Sequence, residues 1–137
     1  IRQIESIVQN MFICAPHVSQ VVAIAAMDAK DELESNMSVY RENRSLMIEG
    51  LANSGFTEIA PPDGAFYIYA NISKFSSNSF KFTRDILDEA GVAITPGFDF
   101  DADRGNETVR FSYAGTTEDM KEGLRRLYKY MRSKQFI

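Results

Sequence analysis

The sequence predicts an α/β fold in which a helical lead-in and a long linking helix precede a small, mostly antiparallel sheet flanked by helices. Two observations lead to this prediction. Apolar residues recur at helical spacing through residues 1–53 and again near the end of the chain. Between these segments, short runs rich in β-branched and aromatic residues alternate with turn-forming residues, a pattern typical of strands covered by helices.

The composition narrows the class of protein. The chain has 137 residues, of which 45% are apolar and 25% charged, values that argue against disorder. The formal net charge of −4 gives no basic surface, and no apolar run approaches the length of a membrane span. We therefore expect neither a nucleic-acid partner nor a membrane partner. A single cysteine, Cys14, is predicted to pack as a small core residue and suits a reducing, cytoplasmic location.

Two amphipathic helices are predicted at the start of the chain. The first carries apolar residues at helical spacing, and residues 13–16 end it. The second has a face of small apolar residues suited to packing against another helix or subunit: Val18, Val21, Val22, Ala25, Ala26 and Ala29. The chain has no initiator methionine and enters directly into helical periodicity. We therefore expect a fragment of a longer protein.

A long helix is predicted from Asp31 to Asn53, ending at Gly55. Its narrow stripe has residues spaced by three and four: Leu33, Met37, Tyr40, Arg44, Met47 and Leu51. A long helix with so thin an apolar stripe is typical of a segment that joins two bodies.

The second half of the chain is predicted to contain four strands and two helices. The first two strands are expected at residues 56–59 and 65–70, separated by a Pro-Pro-Asp-Gly turn. A helix should follow the serine- and asparagine-rich run 76–79 and stop at Gly91. A short buried strand is expected at 92–95.

The fourth predicted strand, residues 108–113, alternates between two faces. Val109, Phe111 and Tyr113 are expected to point to one side, and Thr108, Arg110 and Ser112 to the other. Thr116 and Asp119 then resemble a capping box for a closing helix. The apolar face of that helix is predicted to consist of Met120, Leu124, Leu127, Tyr128 and Met131.

Arg110 is the strongest candidate for a functional residue. Its guanidinium can grip a carboxylate through two parallel hydrogen bonds, and its charge does not switch off at neutral pH. A strand also fixes the direction of a side chain better than a loop does. The alternative interpretation is a solvated strand face shared with Thr108 and Ser112.

Other candidate sites fail on spacing. Asp99, Asp101 and Asp103 suggest a calcium loop, but Arg104 and Arg110 occupy the positions where an EF-hand needs glycine and glutamate. A solvated acidic loop is the better interpretation. His17 is the only histidine, and no second ligand lies at metal-binding spacing, so no metal site is predicted.

Catalytic nucleophiles are also weakly supported. Cys14 and His17 lie three residues apart, but nothing positions an oxyanion hole beside them. Lys74 follows a strand and has thin apolar cover, which predicts a surface lysine instead of a Schiff-base lysine. The glycines form no phosphate-binding motif.

Three stretches, in order, resemble the C-terminal part of class I and II aminotransferases, the fold-type I enzymes that use pyridoxal 5'-phosphate. The stretches are residues 62–67, residues 91–97 with Phe98 or Phe100 after them, and residues 109–114. Upstream, Ser19-Gln20 and the alanine-rich helix are similar to the segment that leaves the cofactor domain in that family. The resemblance covers nearly the whole chain.

The resemblance implies a role and a domain for each part of the chain. Arg110 matches the arginine that binds the substrate α-carboxylate. Residues 1–30 would end the cofactor domain, 31–54 would form the linking helix, and 55–137 would form a C-terminal small domain that closes over substrate. The region 15–20 would lie near the interface of a homodimer.

The resemblance also implies what this chain lacks. The family's Schiff-base lysine, cofactor-ring aspartate and most phosphate contacts match no residue here, so we assign no catalytic or cofactor-binding residue and expect the chain alone to be inactive. The full-length parent would be a transaminase of amino-acid biosynthesis that transfers an amino group between an amino acid and a 2-oxo acid. A β-lyase or decarboxylase reaction on the same fold, and a non-catalytic α+β binding module, remain as alternatives.

Overall fold

The computed structural model describes residues 1–137 and contains five α-helices, two short 3₁₀ helices and three strands. The α-helices and strands, in chain order, are α1 (Arg2–Met11), α2 (His17–Asp28), α3 (Lys30–Asn53), β1 (Tyr67–Asn71), α4 (Ser79–Ala90), β2 (Thr95–Pro96), β3 (Thr108–Ser112) and α5 (Thr117–Ser133), and the 3₁₀ helices Gly97–Asp99 and Gly105–Glu107 lie between β2 and β3. The predicted α/β class, with a helical lead-in before a small antiparallel sheet, is confirmed. The chain divides into two compact units, residues 1–36 and residues 37–137.

The unit of residues 1–36 encloses no core of its own. No residue of α1 or α2 is buried, and the small apolar face of α2 is exposed. The prediction that Cys14 packs in a core is therefore wrong, because Cys14 is exposed in the turn between these helices. No helix of the chain combines the length and the apolar character that a membrane span needs.

The apolar stripe predicted for α3 is buried only in its second half. Met47 and Leu51 are buried in the core, whereas Leu33 and Met37 are 52% and 42% exposed. The second half alone is enclosed because it packs into the core cluster formed by residues of the sheet, α4 and α5.

The core of the unit of residues 37–137 lies on one face of the sheet. The strand order is β1-β3-β2 and both pairings are antiparallel. The buried side chains of the sheet are Ile68, Ala70, Val109 and Phe111, and the helices contribute Met47, Leu51, Phe82, Ile86, Leu124, Leu127, Tyr130 and Met131. The alternation predicted for residues 108–113 is confirmed, with Val109, Phe111 and Tyr113 buried.

The strand predicted at residues 56–59 is absent. Ile59 makes one isolated bridge to Ala70. The Phe56 N–H donates to the carbonyl of Leu51 at 3.0 Å, and Gly55 has a φ of +89°, so these two residues complete the end of α3. Pairing with β1 is limited to two hydrogen bonds beside the bridge, from the Asn71 N–H to the Glu58 carbonyl and from the Ala60 N–H to the Tyr69 carbonyl. The next strand begins at Tyr67 instead of Ala65, because Ala65 has a φ of +58°, which no β-strand accommodates.

The strand predicted at residues 92–95 is shorter and less buried than expected. Only Thr95 and Pro96 pair, and both are half-buried. This strand lies at the edge of the sheet, where one side has no neighbour, and Pro96 has no N–H to donate.

The predicted helix ends of α4 and α5 are largely correct. Asn78 Oδ1 accepts the Lys81 N–H at 2.9 Å, and Gly91 ends α4 with a φ of +65°. Thr116 Oγ1 accepts the Asp119 N–H at 3.1 Å, which is half of the predicted capping box. On the buried face of α5, Tyr130 takes the place predicted for Tyr128, which is 41% exposed.

Candidate functional site

The face of the sheet opposite the core carries Arg110 at its centre. In the register of the sheet, Arg110 lies opposite Tyr69 on one side and Thr95 on the other. Tyr67 pairs with Ser112 and therefore lies diagonally next to Arg110 on the same face. Arg110 and both tyrosines are half-buried. The sheet thus fixes the direction of one cation among aromatic rings.

Two rings, which we call the aromatic pair, contact the Arg110 guanidinium. The guanidinium carbon lies 4.9 Å from the ring centroid of Tyr67 and 4.3 Å from that of Phe100. Both distances lie within the range of cation–π interaction. The side chain of Arg110 makes no hydrogen bond or ion pair with any other residue of the chain. Its N–H donors are therefore available to a planar anion such as a carboxylate.

The aromatic pair belongs to a longer series of rings in edge contact. Ring centroids are 5.6 Å apart between Phe66 and Tyr67, and 6.3 Å apart both between Tyr67 and Tyr69 and between Tyr69 and Phe100. Burial raises the pKa of the Tyr69 hydroxyl, although the nearby Arg110 charge acts in the opposite direction. Tyr69 therefore stays protonated at neutral pH and can donate a hydrogen bond beside the guanidinium.

In the loop that carries Phe100, two glycines allow the backbone to pack closely. The carbonyl of Gly97 accepts the N–H groups of Phe100, at 2.8 Å, and of Asp101, at 3.0 Å. A Cβ at Gly97 would collide with the Thr108 side chain and lie 2.6 Å from the Thr108 carbonyl oxygen. A Cβ at Gly105 would collide with the backbone of Phe98. Only residues without a side chain permit this close backbone approach.

Asp101, in the same loop, accepts hydrogen bonds from the backbone of that loop. Asp101 Oδ1 accepts the N–H groups of Asp103 at 2.9 Å and Arg104 at 3.0 Å. These two hydrogen bonds hold the pKa of the Asp101 carboxyl below its usual range. No carboxylate of the loop pairs with Arg110, so the acidic loop does not neutralise the cation.

The other sequence candidates are exposed on the surface. Cys14 and His17 are exposed in the unit of residues 1–36. Lys74 is a surface lysine, as predicted: its Nζ lies 3.1 Å from Thr57 Oγ1 and 3.7 Å from a Glu58 carboxylate oxygen. The remaining lysines are exposed as well.

Sequence reasoning missed four residues that shape the site. The alternation of Tyr67 and Tyr69 in a strand could have placed both rings on one face, but nothing local linked Phe100 to Arg110. Asn43, on α3, was also missed. It is fully buried, and its Nδ2 donates to the carbonyl oxygens of Tyr113 at 3.1 Å and Gly115 at 2.9 Å. It thereby ties α3 to the segment directly after the Arg110 strand.

The chain is similar to known aminotransferases over most of its length. The family described as aminotransferase class I and II matches residues 1–127. A valine–pyruvate aminotransferase of Mycobacterium tuberculosis is 42% identical over 134 residues, which is 96% of this chain and 34% of that protein. A (5-formylfuran-3-yl)methyl phosphate transaminase of Methanocaldococcus jannaschii is 34% identical over 90% of this chain and 32% of that protein.

Solved structures agree in fold. A Silicibacter pomeroyi protein proposed to be an aminotransferase is 57% identical, with a TM-score of 0.86 over 96% of this chain and 36% of that one. An aminotransferase from Mycobacterium tuberculosis gives a TM-score of 0.85 at 42% identity, over 96% of this chain and 35% of that one. The chain thus spans about a third of the length of the relatives it matches. On this evidence, the chain belongs to the class I and II aminotransferase family.

Proposed function

We propose that this chain is the C-terminal part of a pyridoxal-phosphate-dependent aminotransferase and that Arg110 binds the α-carboxylate of the substrate. The substrates are an amino acid and a 2-oxo acid, which carry the same carboxylate group. The observation that supports the proposal best is the guanidinium of Arg110. It lies on the outer face of the sheet, over two rings, and has no anionic partner within the chain.

Arg110 contributes binding and orientation to this reaction. A bidentate pair with the carboxylate fixes two atoms of the substrate and restricts rotation of the bond to the carbon that carries the amino group. Tyr69 lies opposite Arg110 in the sheet, and because burial raises the pKa of its hydroxyl, this hydroxyl stays protonated at neutral pH. The rings around the guanidinium exclude part of the surrounding water, which strengthens the ion pair.

The residues of this chain do not fit the covalent attachment of pyridoxal phosphate. That attachment needs a lysine whose pKa is lowered by desolvation or by a neighbouring cation. Lys30, Lys74, Lys81, Lys121, Lys129 and Lys134 are all exposed. When bound, the cofactor supplies the electron sink for exchange of an amino group. We assign its attachment to the part of the relatives' length that this chain does not span, and we expect the isolated chain to be inactive.

We also propose a role for each segment of the chain. Residues 1–30 would end the cofactor domain, 31–54 would link the domains, and 55–137 would form the small domain that closes over substrate. The exposed apolar faces of α1 and α2 are what this arrangement needs, because the cofactor domain and the second subunit of a homodimer would cover them. We place the enzyme in the cytoplasm.

The test is the replacement of Arg110 by alanine in the complete aminotransferase subunit. Two charge-assisted hydrogen bonds contribute about 1.5–3 kcal/mol each, so kcat/KM for amino acids should fall by about 100-fold or more. The absorbance of the bound cofactor should change little. Arg84→Ala is the matched control, because Arg84 is exposed on α4 and pairs with Asp88. Unchanged kinetics in Arg110→Ala would remove Arg110 from the site.

The same assay separates the alternative reactions. Transamination produces one 2-oxo acid for each amino acid formed, and it requires both substrates. Release of ammonia with pyruvate would indicate a β-lyase, and release of carbon dioxide a decarboxylase. Absence of cofactor binding by the complete subunit would favour a non-catalytic binding module.

A further inference from the structure

The aromatic pair interacts with Arg110 in a way that differs from an ion pair. A carboxylate partner would occupy the in-plane N–H donors of the guanidinium, and those are the groups that a substrate carboxylate needs. Tyr67 and Phe100 instead lie 4.9 and 4.3 Å from the guanidinium carbon and interact through their π-systems. This arrangement holds the side chain without using any donor.

The position of Phe100 results from its loop and not from burial. Phe100 is 53% exposed, so the hydrophobic effect alone contributes little to holding its side chain over Arg110. The backbone around it is nevertheless fixed by the close approach of Gly97 and Gly105 and by the hydrogen bond from Phe100 N–H to the Gly97 carbonyl. The constrained backbone of the loop therefore keeps this exposed ring in contact with the Arg110 guanidinium.

The position of Tyr67 results from the register of the sheet. Tyr67 pairs with Ser112 and Tyr69 with Arg110, which places Tyr67 diagonally from the arginine. Edge contacts with Phe66 at 5.6 Å and Tyr69 at 6.3 Å limit the movement of its ring. Arg110 is therefore contacted by one ring from a neighbouring strand and one from a rigid loop.

We infer that Tyr67 and Phe100 are positioning residues, which hold the Arg110 guanidinium in the orientation that receives a carboxylate while leaving its N–H donors free. This inference rests on the proposed role of Arg110. It assigns the aromatic pair to recognition of the group shared by all α-amino and 2-oxo acids, and not to recognition of their side chains. Loss of either ring should therefore weaken the binding of all substrates by a similar factor.

The experiment compares Phe100→Leu with Phe98→Leu in the complete, cofactor-loaded subunit. Both phenylalanines belong to the same loop and are about equally exposed, at 53% and 54%, but only Phe100 contacts the guanidinium. We expect Phe100→Leu to raise KM, and the inhibition constant of a simple monocarboxylate such as propionate, by about 3- to 30-fold. kcat and the cofactor spectrum should stay nearly constant. Phe98→Leu should change each value by less than about twofold.

Substitutions at Tyr67 provide a second, independent test. Tyr67→Leu removes the ring and should raise the same two constants, whereas Tyr67→Phe keeps the ring and should restore most of the loss. Equal effects of Phe100→Leu and Phe98→Leu, or of Tyr67→Leu and Tyr67→Phe, would overturn the inference. A fall in thermal stability without a change in KM would also overturn it, because that result describes a merely structural ring.

A double substitution separates this inference from the proposed function. In an Arg110→Gln background, Phe100→Leu should have no further effect on KM if the ring acts through the guanidinium. If Arg110→Gln itself leaves KM unchanged, the proposed function fails. If Arg110→Gln raises KM strongly and Phe100→Leu still adds its full factor, only the inference about the aromatic pair fails.

Discussion

The two faces of the three-stranded sheet differ in burial and in chemistry. On the core face, Val109 and Phe111 are buried among apolar residues of α3, α4 and α5. On the other face, Arg110 lies among half-exposed rings and has no ionic partner. Consecutive residues of this strand thus alternate between buried apolar side chains and an outward-facing cation. The difference shows that the core fixes the strand, and that the fixed strand gives the cation its direction.

Truncation of neighbouring residues of β3 should give the largest difference between the two faces. Phe111 is 5% exposed and its ring packs 5.2 Å from that of Phe56, so Phe111→Ala should lower the free energy of unfolding by about 3–5 kcal/mol. Arg110→Ala should change it by less than about 1 kcal/mol, because its side chain is half-buried and makes only cation–π contacts. Urea unfolding of this chain measures both. Similar losses in the two variants would contradict the division between the faces.

A smaller effect is expected where α3 holds the end of the strand. Asn43→Ala leaves the buried Tyr113 carbonyl, and the more accessible Gly115 carbonyl, without the donor they share, which should cost about 2–3 kcal/mol. Ser45→Ala is the control, because its exposed hydroxyl bonds only the Arg41 carbonyl within the same helix. Thermal or urea unfolding gives the comparison. An Asn43→Ala variant as stable as Ser45→Ala would show that this link is dispensable.

A change at Gly97 tests whether the loop fixes Phe100. The added Cβ would meet the Thr108 side chain and the carbonyl oxygens of Thr108 and Gly105, so Gly97→Ala should cost about 1–3 kcal/mol and raise KM for all substrates. Gly123→Ala should have the opposite sign and stabilise by about 0.5–1 kcal/mol, because Gly123 lies in α5 with open space at its Cβ. An unchanged KM in Gly97→Ala would separate the loop from the site.

The smallest expected effect depends on pH. The pKa of Asp101 is lowered by its hydrogen bonds to the Arg104 and Asp103 N–H groups. A carboxyl group whose pKa is lowered in the folded state contributes its full stabilisation at pH values above its pKa in the unfolded chain, about 4. This contribution is lost as the pH falls through the pKa of the folded state. The melting temperature should therefore fall less between pH 6 and pH 3 in Asp101→Asn than in the unaltered chain. Equal slopes would show that this carboxylate does not hold the loop.

The sequence predicted the regular parts of this fold because their causes are local. Helical periodicity located the five helices, Gly91 marked the end of α4, and alternation put Arg110 on the face opposite the core. The predicted strand at residues 56–59 failed because Phe56 completes the end of α3, which depends on the φ of Gly55 and not on strand propensity. The burial of Asn43 and the contact between Phe100 and Arg110 join residues far apart in the chain, so no local pattern indicated them.

A crystal structure of the complete subunit with an amino-acid analogue bound would test the role of Arg110 most directly. We expect both carboxylate oxygens of the analogue about 2.7–2.9 Å from the guanidinium nitrogens of Arg110, with Tyr67 and Phe100 still in contact with the guanidinium. A carboxylate held by other residues, with Arg110 directed to solvent, would contradict the assignment of Arg110 to the substrate carboxylate.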